Sequence, residues 1–373
     1  GSWSSSNTGL ATIVSSTGVV TGVAAGNPVF TYTIPTGCFV TVTGTINPLP
    51  TAFSVTGGGN YCAGGTGVPV GLSGSVTGFS YQLFNGATAV GSPLAGTGSA
   101  LSWGLQTAAG VYTVVAINNT TLCSVLMNGS ATVVINPLPT VFNVTGGGSY
   151  CSGLSGVAIG LNNSTTGISY QLYLGGVASG APVNGTTGSA ITFGLRTIAG
   201  SYSVVATDAV TGCVNNMSGI ASITINPLPT VYAITGGGAY CFGGTGVAVG
   251  LNSSTVGVNY QLVLGSIPVG SPVAGTGAAI SFGLQTTTGS YTVVATNAVT
   301  GCVNNMTGSV SVSTNPAPSL FNVTGGGGYC AGGTGVAVGL SGSNVGTTYQ
   351  LFNGATLVGA TSGTGAAISF GLQ

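Results

Sequence analysis

Few kinds of residue in this chain could do chemistry, and the cysteines are foremost among them. The 373 residues include eight cysteines, one basic residue (Arg196) and one acidic residue (Asp208), with no lysine, glutamate or histidine. Acid–base catalysis would rest on Asp208, tyrosine or cysteine alone, and phosphate contacts on Arg196 alone. Zinc without histidine needs clustered cysteines, and calcium needs several hard oxygen ligands, usually including carboxylates. We therefore expect no enzyme, no cofactor, no metal site and no nucleic-acid partner.

The elements that hold these cysteines recur along the chain. The stretch from Ile135 to Cys151 contains Asn-Pro-Leu-Pro, an apolar run, three glycines and Tyr-Cys, and near-copies begin at Ile46, Ile225 and Thr314, at intervals of 89, 90 and 89 residues. Full repeats are expected at 51–139, 140–229 and 230–318, with a partial repeat at 319–373. Residues 1–50 differ from the repeats.

Each repeat has the pattern of a β-sandwich. Apolar residues alternate with polar ones in short runs separated by Gly, Asn, Ser and Thr, as in half-buried strands. About seven such strands in about 90 residues predict an immunoglobulin-like fold. Asn-Pro-Leu-Pro predicts a stiff spacer between repeats. The expected fold class is therefore all-β, with tandem immunoglobulin-like β-sandwich domains in a rod-like array.

Aromatic residues return at equivalent positions of the copies. Core positions are predicted for Trp103, Phe193 and Phe282, because apolar residues replace one another there. Tyr112, Tyr202 and Tyr291 stand in Gly-x-Tyr before a Val-Val-Ala strand. This spacing predicts a tyrosine corner, in which the hydroxyl bonds to backbone near the preceding turn. The alternative for these tyrosines is ligand stacking.

Two sequence features bear on how the sheet edges are built and protected: the glycine runs and the near absence of charged residues. The run at 57–59 and its copies predict a bulge or a tight crossover, because glycine tolerates positive φ. Natural sheets usually guard their edges with charges, lysine above all. Without lysine, either the edges pair with other copies and the repeats pack laterally, or Gly, Pro and Asn-rich turns and glycans keep them apart. No run of about 20 apolar residues predicts a membrane span.

Two resemblances follow from particular motifs. Trp3-Ser-Ser-Ser-Asn, Ala11-Thr-Ile-Val and Gly18-Val-Val-Thr-Gly-Val-Ala-Ala-Gly resemble the second half of a bacterial immunoglobulin-like domain of group 2, so residues 1–50 are expected to be its C-terminal part, with further sequence before Gly1. Residues 51–373 resemble the tandem immunoglobulin-like repeats of large secreted Bacteroidetes-type proteins, through Cys151, Gly212-Cys213 and the Asn-Pro-Leu-Pro linkers. The resemblance implies a cell-surface or extracellular location and type IX secretion.

The expected function is structural and adhesive: a stalk, a fibre or a laterally assembled filament on a bacterial surface. Its expected partner is a second copy of the chain or an external surface. The alternative is an adhesin module that binds a carbohydrate or another surface, with the repeats in contact with the ligand.

The cysteines predict disulfides in an oxidising, extracellular setting. The candidates are Cys38, Cys62, Cys123, Cys151, Cys213, Cys241, Cys302 and Cys330. Pairing within repeats would join Cys62–Cys123, Cys151–Cys213 and Cys241–Cys302. Pairing across junctions would join Cys38–Cys62, Cys123–Cys151, Cys213–Cys241 and Cys302–Cys330. We favour pairing within repeats, although the two turns lie at opposite ends of a standard sandwich, beyond the reach of a bridge. Buried free thiols are the third alternative.

Overall fold

A computed structural model describes all 373 residues, and the chain is all-β, with 38 strands and no helix. No segment therefore forms an apolar helix long enough to cross a bilayer. The chain folds into two compact units, one of residues 1–148 and 155–224, the other of residues 149–154 and 225–373. The repeat bounds given above remain a prediction beside this division.

The strands before the first repeat are β1 (Ser2–Ser5), β2 (Ala11–Ile13), β3 (Val20–Gly22), β4 (Val29–Thr33) and β5 (Phe39–Thr43). Strands β1, β4 and β5 form one sheet in the order β1-β4-β5, and β2 pairs with β3. The rings of Trp3 and Tyr32 lie 4.9 Å apart across the β1–β4 pair.

Residues 51–139 contain β6 (Val55–Gly57), β7 (Gly59–Cys62), β8 (Val68–Leu72), β9 (Phe79–Asn85), β10 (Thr88–Ala95), β11 (Leu101–Gln106), β12 (Gly110–Asn118), β13 (Ser124–Leu126) and β14 (Ala131–Asn136). One sheet has the order β11-β8-β6 and the other β10-β9-β12-β14-β7, with β13 on β12. The two sheets enclose a core that includes Leu72, Leu83 and Val114. Alternating apolar residues build this sandwich, because every second side chain of a strand faces inward.

Residues 140–229 contain β15 (Val144–Gly146), β16 (Gly148–Cys151), β17 (Val157–Leu161), β18 (Ile168–Leu174), β19 (Val177–Ala178), β20 (Val183–Asn184), β21 (Ile191–Arg196), β22 (Gly200–Asp208), β23 (Val214–Asn216) and β24 (Ala221–Asn226). Strand β17 pairs with β15 and β21, and β22 pairs with β18 and β24, all antiparallel. The strand pattern of the preceding copy therefore recurs.

Residues 230–318 contain β25 (Ile234–Gly236), β26 (Gly238–Cys241), β27 (Val247–Leu251), β28 (Val258–Leu264), β29 (Ile267–Ala274), β30 (Ile280–Gln285), β31 (Gly289–Asn297), β32 (Val303–Asn305) and β33 (Val310–Asn315). The remaining residues contain β34 (Val323–Gly325), β35 (Ala337–Leu340), β36 (Thr348–Asn353), β37 (Thr356–Ser362) and β38 (Ile368–Leu372). Sheets β25-β27-β30 and β26-β33-β31-β28-β29 enclose a second core, which includes Leu251, Leu262 and Val293.

The glycine run moves the chain from one sheet to the other, which confirms the expected crossover. Strand β6 ends at Gly57 in the first sheet, and β7 begins at Gly59 in the second. Gly57 and Gly58 have φ of 89° and 78°. A Cβ on Gly57 would come within 2.1 Å of the Pro69 carbonyl oxygen. The crossover lets β7 run parallel to the last strand, β14, so that Tyr61 and Cys62 arrive at the end where the chain leaves the sandwich.

Candidate functional site

The first cysteine of a repeat lies beside the start of the linker. Cys62 is the last residue of β7 and stands opposite Asn136, the first residue of Asn-Pro-Leu-Pro. The amide of Ala63 donates to the Asn136 carbonyl at 2.8 Å, and the Tyr61 hydroxyl donates to the Thr107 carbonyl. In the second unit, Cys241 stands opposite Asn315 in the same parallel register. The first cysteine therefore lies at the exit end of its sandwich.

The second cysteine is presented by a tight turn. The Asp208 carboxylate accepts hydrogen bonds from the amides of Val210 and Thr211 at 2.9 and 2.8 Å. These bonds, with that from Thr211 the stronger cause, lower the pKa of the Asp208 carboxyl below its ordinary value. Gly212 has a φ of 72°, and the Asp208 amide donates to the Cys213 carbonyl at 2.9 Å. The turn fixes Cys213 immediately before β23.

Two disulfides join cysteines of successive repeats. Cys62 bonds to Cys213, and Cys151 bonds to Cys302, each with Cα atoms 5.5 Å apart and a sequence separation of 151 residues. Each bridge joins the first cysteine of one repeat to the second cysteine of the next. Cys213 and Cys302 are fully buried.

This connectivity corrects the expected pairings. Pairing within repeats is wrong for Cys62–Cys123 and Cys151–Cys213, and Cys241–Cys302 does not form either. None of the junction pairs Cys38–Cys62, Cys123–Cys151, Cys213–Cys241 and Cys302–Cys330 forms. The physical reason is the end of the sandwich at which each cysteine lies. The first cysteine of a repeat lies where the following linker leaves the sandwich, whereas the second cysteine lies where the preceding linker arrives. Each bridge therefore joins the first cysteine of one repeat to the second cysteine of the next repeat. The expected junction pairs joined the second cysteine of one repeat to the first cysteine of the next.

The arriving linker is held by a side chain next to the second cysteine. The Asn215 side-chain amide donates to the carbonyl of Pro139, the last linker residue, at 2.8 Å. In the second unit, Asn304 makes the same bond to Pro229 at 2.8 Å. Each asparagine lies two residues after the bridged cysteine. A covalent bond and a hydrogen bond therefore fix the same junction.

The junction before the first repeat lacks both restraints. Cys123 is a half-buried free thiol, and Val125 stands where the later copies have asparagine. Residue 122 is a leucine with a φ of 60°, the one positive φ outside glycine, where the later copies have Gly212 and Gly301. A cavity of about 620 Å³ is lined by Cys123, residues 22–25 and residues 45–49. At this junction, residues 22–25 supply no cysteine to face Cys123.

The other free thiols are Cys38, Cys241 and Cys330, all exposed. The alternative of buried free thiols is therefore wrong for these three. Cys241 and Cys330 occupy the position of Cys62 and Cys151 in their copies, and residues 331–373 contain no cysteine that could bond to them. No group of three or more His, Cys, Asp or Glu side chains lies together.

The tyrosines singled out from the sequence are buried and bonded to backbone. Tyr112 donates to the Ala108 carbonyl at 2.8 Å, Tyr202 to Ile198 at 2.9 Å and Tyr291 to Thr287 at 2.8 Å. Each acceptor lies four residues upstream, in the turn before the strand. Burial raises the pKa of Tyr112. The structure therefore leaves none of the three rings open for stacking on a ligand.

The aromatic residues at the neighbouring position pack at the cores. Phe193 is buried, and Trp103 and Phe282 are partly buried against the clusters of their own copies. The Trp103 indole nitrogen is buried without a hydrogen-bond partner. Phenylalanine at this position in the other copies avoids that cost.

Sequence reasoning missed a buried serine that ties loops together in every copy. The Ser75 hydroxyl donates to the Ser99 carbonyl at 2.6 Å and accepts from the Thr97 amide at 3.0 Å. Its counterparts are Ser164, Ser254 and Ser343, all buried and bonded to the same loop. Their recurrence at one position of all four copies was the signal that could have found them.

Comparison with known proteins finds neighbours among solved structures only. No family model and no curated protein matches the chain. It is similar to the N-terminal eight Ig domains of Down Syndrome Cell Adhesion Molecule isoform 1.30.30, at 14% identity over 97% of this chain and 56% of that chain, with a TM-score of 0.26. It is similar to Sidekick-1 immunoglobulin domains 1–5 at 12% identity over 85% and 74%, with a TM-score of 0.27. It is also similar to the FN1–FN3 domains of chicken CNTN1 at 11% identity over 71% and 96%, with a TM-score of 0.25.

These likenesses concern the fold alone. The chain is an all-β protein made of tandem immunoglobulin-like β-sandwiches.

Proposed function

We propose that the chain belongs to an extracellular structural and adhesive protein, in which the repeats form a stalk or fibre on a bacterial surface. The observation that carries the proposal is the pair of disulfides between successive repeats, both with a separation of 151 residues. Disulfides persist outside the reducing cytosol. A disulfide between repeats does not shape a ligand site within one repeat, but it holds adjacent repeats together when the chain is under tension.

The sheet edges support a stalk or fibre over lateral strand pairing. Strand β11 is an edge strand with a register shift between Ser102 and Leu105, at Gly104 with a φ of 71°. The opposite sheet ends in β10, which has a shift between Val90 and Leu94, near Gly91 with a φ of 61°. Bulges bend an edge strand and interrupt its row of free donors and acceptors. Glycine bulges thus protect two of the four edge strands of this sandwich, β10 and β11.

The bacterial source, the type IX export route and the group 2 assignment of residues 1–50 rest on the motifs quoted for them above. The proposed partner is an external surface or a second copy of the chain. The near absence of charge favours contacts by hydrogen bonding and apolar surface, which salt does not screen.

The test uses the native protein on its own cells. Antibodies against residues 51–318 should label intact cells, and shearing should release labelled fibres visible by electron microscopy and reduce attachment of the cells. Labelling only after permeabilisation would overturn the proposal.

A thiol count is the second arm. With a protein of residues 1–373 under denaturant without reductant, four of the eight cysteines should react with a maleimide, since Cys38, Cys123, Cys241 and Cys330 are free. After reduction all eight should react. Eight reactive thiols before reduction would contradict an oxidising location.

A further inference from the structure

The two disulfides overlap along the chain. The first closes a loop from Cys62 to Cys213, and the second closes a loop from Cys151 to Cys302. Cys151 lies inside the first loop and Cys213 inside the second. Residues 151–213 therefore belong to both loops, whereas residues 63–150 and 214–301 belong to one loop each.

This overlap decides how far the chain can be stretched. A pull that reaches Cys62 can cross the first bridge to Cys213, run backwards along the backbone to Cys151 and cross the second bridge to Cys302. That route contains about 62 residues, against about 240 along the backbone, or roughly 220 Å against 840 Å at about 3.5 Å per residue. Unfolding of residues 63–150 or 214–301 adds nothing to the shorter route.

We infer that the staggered bridges act as a strain limiter, in which residues 151–213 are the only extensible segment between Cys62 and Cys302. Under load, the sandwich formed mainly by residues 63–139 can lose its fold without lengthening the protein. The same holds for residues 230–301. The mechanical purpose of this limiter rests on the proposed function. The limit on extension itself follows from the disulfide connectivity alone.

The inference predicts a non-additive response to loss of the bridges. With one bridge removed, the shortest route becomes about 89 residues, so the fully extended chain lengthens by about 95 Å. Removal of the second bridge then adds about 530 Å. Either bridge alone therefore supplies most of the limit, and the second is a reserve.

The experiment is single-molecule stretching of the oxidised chain, held at its two ends, to full extension. The wild type should be about 620 Å shorter than the reduced chain. Two variants, C62A/C213A and C151A/C302A, should each exceed the wild type by about 95 Å. Peptide mapping of each variant without reductant verifies the remaining bridge.

The variants separate this inference from pairing within repeats. Three bridges within repeats would hide a similar total length, but C62A/C213A would then break two of them and lengthen the chain by about 430 Å. That result, or equal steps on removal of each bridge, would overturn the inference. Surface labelling of cells is independent of it, so failure here leaves the proposed location standing, and the reverse also holds.

Discussion

Removal of one bridge should cost far more stability than removal of two free thiols. The perturbation is C62A/C213A, and the matched control is C38A/C123A, whose cysteines are unpaired. The bridge closes a loop with a separation of 151 residues. In the loop-entropy model, this lowers the entropy of the unfolded chain enough to stabilise the fold by about 5 kcal/mol.

The assay is urea unfolding without reductant, followed by the fluorescence of Trp103. Trp103 lies in the first repeat, inside the loop, and a Trp3→Phe background removes the other tryptophan. The free energy of unfolding of this transition should fall by about 5 kcal/mol in the bridge variant. The control should lose no more than about 1 kcal/mol relative to its parent, because Cys38 is exposed and Cys123 is only half-buried and unpaired.

Reductant supplies the internal check. Once reduced, the parent and the bridge variant should unfold at the same urea concentration. The reasoning would be refuted if reductant left the parent unchanged, or if the C38A/C123A control lost as much stability as the bridge variant.

Three further predictions concern single positions. The double variant R196Q/D208N, which removes every side-chain charge, should unfold at the same urea concentration as the parent at neutral pH, because amides at the equivalent positions of other copies make the same bonds. The fold lowers the pKa of Asp208, so the parent should lose stability as the pH falls through that lowered pKa and the variant should not; unfolding at several pH values checks this. Leu122→Gly should stabilise the first repeat by about 1 kcal/mol in thermal unfolding, because glycine accepts a positive φ; a lower melting temperature would contradict this. Tyr291→Phe should destabilise its repeat by about 1–3 kcal/mol, because the Thr287 carbonyl loses its donor; an unchanged urea midpoint would contradict this.

The sequence was sufficient to predict the class of fold. Alternation in runs such as Ile168, Tyr170 and Leu172 reports which face of a strand is inward, and all three are buried. Period-2 spacing is a property of a single strand, so it can be recognised without knowing which strands pair in the sheets. The parallel pairing of β7 with β14 is not local, because it depends on where the glycine run sends the chain.

The two charged residues show what counting alone cannot tell. Asp208 could have been a catalytic or ligating carboxylate, yet it closes a turn that Asn297 closes equally well. Arg196 could have bound an anion, yet its guanidinium donates to the Phe193 carbonyl, as the Gln285 amide does to Phe282. Comparison among the repeats indicates these structural roles, since each charged residue occupies a position at which another repeat has an amide side chain.

The disulfides mark the limit of prediction from spacing. Both expected schemes paired cysteines that are near in sequence, about 60 residues apart within a repeat or about 30 residues apart across a junction. The structure instead pairs cysteines 151 residues apart, because the folded sandwiches bring them together at one junction. Strand β7 delivers Cys62 to the linker exit, four linker residues lead into the next sandwich, and Asn215 holds Pro139 beside the turn of Cys213. The partner of a cysteine in this array therefore depends on the end of the sandwich that each strand reaches, and not on the spacing of the cysteines along the chain.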